Sequence, residues 1–291
     1  MSLNLPPSLE AFLAAPLDDV RAVAPATAIY AVGGTRRQAV LAGIAADGDD
    51  YPRFSFERLL DSLSTLFRCG VRHAIVTILQ SPQMAEVGRY RERLMHWLAE
   101  GTSSREALAA YRARGWRVRL IGGEAVPALD AAAATLREST PHGQATVWYY
   151  TSVDPQDHWR HILAAGAEGA RTQAEVIRAI CGEDVPPAEL YLAFGKPLFG
   201  TDLFPLALAA GTVQCYWTQR PGYDLPEADL RRVLYDYAFT RRTWRADKLP
   251  RYAAVSAQRG LWNRGDILGI GRRVGGFWYP VAEGIPPEES L

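Results

Sequence analysis

The stretch Ala28-Ile29-Tyr30-Ala31-Val32-Gly33-Gly34-Thr35-Arg36-Arg37 opens on five apolar or aromatic residues and breaks into paired glycines, a hydroxyl and two guanidinium groups. A short apolar run stopped by glycine reads as a strand buried on both faces, the kind found in parallel sheets. In an open parallel sheet, ligands collect at the carboxyl ends of strands, where loops lead into helices. Glycines let the backbone approach an anion closely, Thr35 adds a hydroxyl donor, and Arg36 and Arg37 supply paired charge. The pattern predicts an anion cradle suited to a diphosphate, built from Gly33, Gly34, Thr35, Arg36 and Arg37. On these residues alone, a tight turn before a solvated helix start fits equally well.

Outward from this stretch the same alternation recurs. Strands are expected near Ala28–Val32, Ala74–Leu79, Arg117–Ile121, Ala145–Tyr150, Leu190–Phe194 and Val213–Thr218. Helical patterns near Ser55–Cys69, Tyr90–Ala99, Arg105–Arg114, Ala125–Glu138, Gln156–Cys181, Leu203–Ala210 and Glu227–Arg242 fall between and after them. Serines before Arg105 and glycines at 70, 115 and 182 supply start and stop positions. The expected fold class is therefore α/β, a single domain with a six-stranded, mainly parallel sheet flanked by helices. No linker or repeat divides the chain. Residues 1–245 read as the α/β domain and 246–291 as a C-terminal extension that packs on the body or on a partner subunit. Within that extension, Gly275-Gly276 marks the turn of a hairpin.

Composition narrows the function classes. The 291 residues are 48% apolar and 22% charged, with formal net charge zero, so no global field holds the chain on nucleic acid or an anionic membrane. Any anion site must be local. Only Lys196 and Lys248 are lysine, and the remaining basic residues are arginine, whose planar fork suits phosphate oxygens. Cys69, Cys181 and Cys215 have no metal-type spacing and read as reduced packing residues. The N-terminus lacks a basic leader and no apolar run reaches the ~18 residues of a membrane span, so a cytoplasmic location is expected.

Further motifs follow in a specific order: Asp49-Asp50-Tyr51, Gly88-Arg89-Tyr90, Arg119-Leu120-Ile121-Gly122-Gly123, Leu230-Arg231-Arg232-Val233-Leu234-Tyr235, and a tail with Gly269-Ile270-Gly271-Arg272 and Gly276-Phe277-Trp278. Together with the glycine turn, this order resembles the cis-prenyltransferase (undecaprenyl diphosphate synthase-like) superfamily. The nearest resemblance is to its branch of tuberculosinyl adenosine transferases, tuberculosinol synthases and kolavelool-synthase-like diterpene synthases. The resemblance implies a hydrophobic tunnel beside the sheet, a homodimer, and chemistry in which an allylic diphosphate is ionised and its carbocation captured. It implies that Gly33, Gly34, Thr35, Arg36 and Arg37 hold the diphosphate and that Arg89 and Tyr90 contribute to the same pocket. Tyr51 and Arg37 become the catalytic candidates. Trp148, Tyr149, Tyr150, Phe194 and Phe199, near strand ends, are candidates to line the tunnel, with core packing as the competing role.

Two departures from the family pattern shape the expected reaction. Where the family carries an aspartate that supports magnesium, this chain has Gly33. Magnesium dependence is thereby open: Asp47, Asp49 and Asp50 are candidate ligands, and a solvated acidic loop is the alternative. The stretch Phe194-Gly195-Lys196-Pro197-Leu198-Phe199-Gly200-Thr201-Asp202 replaces an arginine-rich motif that binds a second diphosphate in chain-elongating members. Burying a second diphosphate beside one cation leaves charge poorly paired. The expectation is a terpene synthase that takes one allylic diphosphate, bicyclic such as kolavenyl or tuberculosinyl diphosphate, with water capturing the cation. A nucleoside acceptor and a non-catalytic subunit of a heteromeric prenyltransferase are the alternatives.

Asp154, Asp157, His158 and His161 share a helix face, as a metal site or, the favoured reading, as an ordinary helix start. No nucleophile elbow or P-loop occurs, and Arg231-Arg232 and Arg241-Arg242 read as a solvated helix face rather than a nucleic-acid surface.

Overall fold

The computed structural model describes residues 7–31, 33–85, 89–124, 126–240, 255–262, 267–274 and 277–280; side chains at 89–91, 261–262 and 274 lie outside that description. Six strands form one sheet: β1 (Thr27–Ala31), β2 (His73–Leu79), β3 (Trp116–Ile121), β4 (Ala145–Thr151), β5 (Ala188–Phe194) and β6 (Ala209–Thr218). Their order is β3-β4-β2-β1-β5-β6, and every neighbouring pair is parallel. After β1 the chain steps to β2 on one side, and it later returns as β5 on the other. The carboxyl end of β1 is thus the place where the winding direction reverses, and the glycine turn leaves the sheet there.

The strands are apolar on both faces because helices cover both. Residues of one parity, such as Tyr30, Val76, Val147 and Tyr149, join a core with α4 (Asp50–Arg68), α7 (Arg105–Ala113) and α11 (Glu227–Tyr235). The other parity, including Ile29, Ile75, Trp148, Tyr150 and Tyr191, packs with α10 (Gln173–Cys181). Two N-terminal helices, α1 (Leu9–Leu13) and α2 (Leu17–Val23), bring Phe12 and Val20 to the first core.

Three expected helices differ. The run Gln156–Cys181 is two helices, α9 (Asp157–Ala167) and α10, because the chain turns at Gly169 (φ 107°) and restarts on Thr172. There Thr172 and Glu175 form a capping box, the Thr172 hydroxyl accepting from the Glu175 N–H and the Glu175 carboxylate accepting from the Thr172 N–H. Thr172→Ala is expected to cost about 1 kcal/mol, read as a lower midpoint of urea unfolding at unchanged slope. Leu203–Ala210 is not an α-helix: a short 3-10 turn, Leu206–Leu208, gives way at Ala209 to β6. Pairing with β5 outweighs the helical preference of Leu and Ala. The last expected helix keeps α-geometry over Glu227–Tyr235 and widens into a π-turn at Asp236–Thr240, while Arg241 and Arg242 lie outside the described residues.

Helix α4 begins at Asp50, earlier than Ser55, because Pro52 is tolerated in a first turn. Tyr51 is therefore carried by a helix. The hairpin is present as β7 (Gly271–Val274) against β8 (Phe277–Pro280), antiparallel with Val274 opposite Phe277; its turn residues 275–276 lie outside the described residues. Among the described residues no helix is long and apolar enough to cross a membrane.

Candidate active site

Gly34 sits at φ 79° and ψ 21° immediately before α3 (Thr35–Leu41), a left-handed backbone conformation that glycine adopts without penalty. There is no space for a side chain either, since a Cβ would lie 3.0 Å from the Phe194 ring and 3.3 Å from Pro221. The turn is braced from a second loop: the Gly222 N–H donates to the Gly33 carbonyl at 2.7 Å, and the Tyr223 N–H donates to the Gln38 side chain at 3.2 Å. This gives the two glycines a structural role whatever binds beside them.

From the turn, Thr35 reaches the first turn of α4, where its Oγ1 and the Tyr51 hydroxyl are 2.7 Å apart. Thr35, Arg36 and Tyr51 border a cavity of about 160 Å³ that runs between α4, α6 (Arg89–Ser103) and the sheet. Its apolar lining includes Phe56 and Leu59 from α4, Leu94, Trp97 and Leu98 from α6, and Ile78, while Tyr149 and Tyr223 add phenols. The rings of Tyr51 and Trp97 meet edge to face at 5.7 Å. The Tyr149 hydroxyl pairs with that of Tyr111 at 2.9 Å. Burial pushes the phenols of Tyr149, Tyr111 and Tyr223 above their ordinary range, so they enter the site as neutral hydroxyls. A polar, cationic mouth thus opens onto an apolar, aromatic space.

Arg37, the next residue on α3 after Arg36, is half-buried and does not itself line the cavity. Its guanidinium carbon lies 4.6 Å from the centre of the Phe194 ring and 4.2 Å from that of Phe277. Among the described residues no carboxylate or carbonyl pairs with it. Arg36 is more exposed and contributes to the cavity border. Arg89 and Tyr90 open α6, and their side chains lie outside the described residues.

The structure separates the five expected tunnel residues. Trp148 and Tyr150 point to the opposite face of the sheet, where the Trp148 indole N–H donates to His73 Nδ1 at 3.2 Å. Alternation along β4 puts the remaining candidate of that strand, Tyr149, at the cavity. Phe194 sits on the glycine turn rather than along the cavity. Phe199 is 60% exposed and packs on Tyr191, Phe204 and Trp217 in a separate groove on the far face. Sequence reasoning missed most of the actual lining, although a clue existed. Tyr51, Ser55, Phe56 and Leu59, and likewise Leu94, Trp97, Leu98 and Gly101, recur at helical spacing on α4 and α6.

Asp49 and Asp50 pair with surface arginines, and Asp47 is engaged through its backbone carbonyl. Asp49 is 3.6 Å from Arg93, whose guanidinium also donates to the Asp47 carbonyl at 2.6 Å, and Asp50 pairs with Arg53 at 3.1 Å on an exposed surface. Gly33 offers no side-chain oxygen. Among the described residues no three His, Cys, Asp or Glu converge. A hard divalent cation takes several oxygen ligands, so this donor set does not fit a magnesium ion held at the turn by protein carboxylates. The Asp154–His161 group serves the start of α9: Asp157 accepts the N–H groups of Val153 and Asp154, and both acids pair with Arg160. In the 194–202 segment, Asp202 accepts hydrogen bonds from Ser81 at 2.5 Å and Ser152 at 2.8 Å, tying that loop to the ends of β2 and β4.

No family model matches the chain. It is 43% identical over 285 residues to a (+)-kolavelool synthase of Herpetosiphon aurantiacus, across 97% of this chain and 98% of that protein. It is 27% identical over 294 residues to a tuberculosinyl adenosine transferase of Mycobacterium tuberculosis, across 91% and 93%. Among solved structures, a lavandulyl diphosphate synthase from Lavandula x intermedia, in complex with dimethylallyl diphosphate, superposes with TM-score 0.54 at 16% identity, covering 75% of this chain and 96% of its own. A probable undecaprenyl diphosphate synthase from Campylobacter jejuni gives TM-score 0.56 at 13% identity, covering 75% and 95%. At such identities the likeness is one of fold.

Proposed function

The chain belongs to the family of the (+)-kolavelool synthase, enzymes on the cis-prenyltransferase fold, and from that premise we propose that it is a diterpene synthase ionising one allylic prenyl diphosphate. The reading rests on one observation: Thr35 and Arg36 border a cavity that is apolar and aromatic within, and the next residue, Arg37, is held by aromatic rings without an anionic partner among the described residues. A diphosphate seats on Thr35, Arg36 and Arg37, and its hydrocarbon fills the space between α4 and α6. The allylic C–O bond breaks heterolytically, and its electron pair leaves with the diphosphate, whose developing charge the guanidinium groups stabilise. The faces of Tyr51, Trp97 and Tyr149 favour the carbocation left behind. Water adds to that cation and loses one proton to the medium, so the products are a terpene alcohol and diphosphate. The hydrogen bond between the Tyr51 and Thr35 hydroxyls keeps the phenol at the junction of anion and hydrocarbon.

The substrate of this reading is a C20 diphosphate, bicyclic of the kolavenyl or tuberculosinyl type, and the working form is a homodimer in the cytoplasm. The relationship to a synthase over nearly the whole chain removes the ground for a non-catalytic subunit. Transfer to a nucleoside draws support from the second relative, by its name an adenosine transferase. Incubation of purified protein with geranylgeranyl, kolavenyl and tuberculosinyl diphosphates, each with and without adenosine, is the test. Terpene alcohol and diphosphate in equal amounts, insensitive to adenosine, are expected. A nucleoside adduct would move the assignment to transferase, and absence of diphosphate release across the panel would overturn it.

A further inference from the structure

An arginine side chain gives up rotamer freedom when held in one place, so a well-placed guanidinium needs something to hold it. Carboxylates usually do this, yet a carboxylate also neutralises the charge and occupies the N–H fork. Around Arg37 the described partners are two aromatic rings, Phe194 at 4.6 Å and Phe277 at 4.2 Å. A π face attracts the cation while leaving its in-plane N–H donors for another anion. Such an arrangement suits an arginine that must receive a phosphate.

The two rings come from opposite sources. Phe194 ends β5 and lies against Gly34, so the sheet itself places it. Phe277 starts β8, beside the hairpin turn, and remains 45% exposed. Burial in the core therefore does not account for its position, whereas contact with Arg37 does. The hairpin packs tightly and lies close to the body: Gly271 sits beneath Trp278, where a Cβ would collide with the indole, and Gly269, at φ 90°, stands where a Cβ would come within 3.8 Å of Pro197 in the loop after β5.

We propose that the C-terminal hairpin completes the diphosphate site, with Phe277 as a positioning residue that, together with Phe194, aims the Arg37 guanidinium. This rests on the reading of Arg37 as a diphosphate ligand and adds a role for the extension that the α/β body alone does not supply. Phe277 touches the guanidinium and does not take part in bond making.

The full chain is compared with Phe277→Ala, Phe277→Leu, Phe277→Tyr, Arg37→Ala and the double variant Phe277→Ala/Arg37→Ala. Turnover of kolavenyl diphosphate, calorimetric binding of inorganic diphosphate and thermal midpoints are measured. Loss of the aromatic face, in Phe277→Ala and Phe277→Leu alike, is expected to lower turnover and weaken inorganic diphosphate binding by about tenfold, with the midpoint nearly unchanged. Phe277→Tyr should recover most of both. On the Arg37→Ala background, Phe277→Ala should have no further effect, because the group it positions is gone. If Phe277→Ala matches the parent while Arg37→Ala loses turnover, the hairpin role is overturned and the diphosphate reading stands. Equal effects of Phe277→Ala on both backgrounds would likewise overturn it, as would Phe277→Leu behaving like the parent. If Arg37→Ala itself keeps turnover and diphosphate binding, the diphosphate reading falls and takes the hairpin role with it.

Discussion

Arg37→Ala is expected to lower turnover of the prenyl diphosphate by about a hundredfold and to leave the thermal midpoint nearly unchanged, the range seen when one preorganised charge-stabilising group is removed. The stability half of this result follows from what the side chain touches. Arg37 makes no ion pair or hydrogen bond among the described residues, and the two ring contacts it loses are partly solvent-exposed, so no buried partner is stranded. The activity half follows from where charge develops. As the C–O bond breaks, negative charge moves onto the bridging oxygen, and a guanidinium that is already aimed there gains more in the transition state than in the ground state. Lysine at this position should rescue poorly, because a point charge neither stacks on two rings nor presents a planar fork. Steady-state kinetics with a thermal melt on the same samples decide the matter. Turnover within threefold of the parent would remove Arg37 from the mechanism.

Gly101→Phe is expected to separate stability from activity in the opposite way. Gly101 lies in the last turns of α6 and lines the cavity, and a Cβ there would meet nothing within 4 Å. A β-carbon therefore enters without a clash. Replacing glycine inside a helix also removes up to about 1 kcal/mol of backbone entropy cost. The thermal midpoint should hold or rise. The phenyl ring would, however, occupy space that the hydrocarbon of the substrate needs. Each methylene kept out of the cavity forfeits about 0.8 kcal/mol, so excluding two or three raises KM for a C20 diphosphate by tenfold or more. A C10 allylic diphosphate should lose far less, and Gly101→Ala should stabilise without this penalty. An unchanged KM for the C20 substrate would show that the tail does not run between α4 and α6.

Much of this architecture was readable in advance because its causes are local. All six strands were expected near their observed places, since a short run rich in β-branched, aromatic and other apolar residues, bounded by glycine, proline or charge, has few other stable uses. The expected turn at Gly33-Gly34 stands at the reversal point of the sheet. The misassigned helices had local causes too, hidden by composition. Alanine and leucine around Leu203–Ala210 suit a helix until β5 offers an open edge, and Gly169 interrupts a run whose flanks are both helical.

The choice of wall residues was less legible. β4 reads Ala-Thr-Val-Trp-Tyr-Tyr-Thr and is buried throughout, so neither parity announces itself as the cavity side. Tyr149 faces the cavity and Trp148 and Tyr150 do not, because α4 and α6 happen to leave a gap on that face while α10 fills the other. A gap is a property of how helices pack, not of any one segment.

What the linear order of residues settled here is therefore periodicity: strand against helix, the place of the glycine turn, the neutral overall charge that makes the anion site a local matter, and membership in a family. What required the folded chain is juxtaposition. Thr35 meeting Tyr51, Tyr149 lining the cavity, Asp49 turned to Arg93, and Phe277 arriving beside Arg37 from the far end of the chain all join residues distant in sequence. Local pattern is written in neighbours that share one hydrogen-bond ladder, whereas such encounters are set by the packing of whole elements against one another, to which every layer of the core contributes.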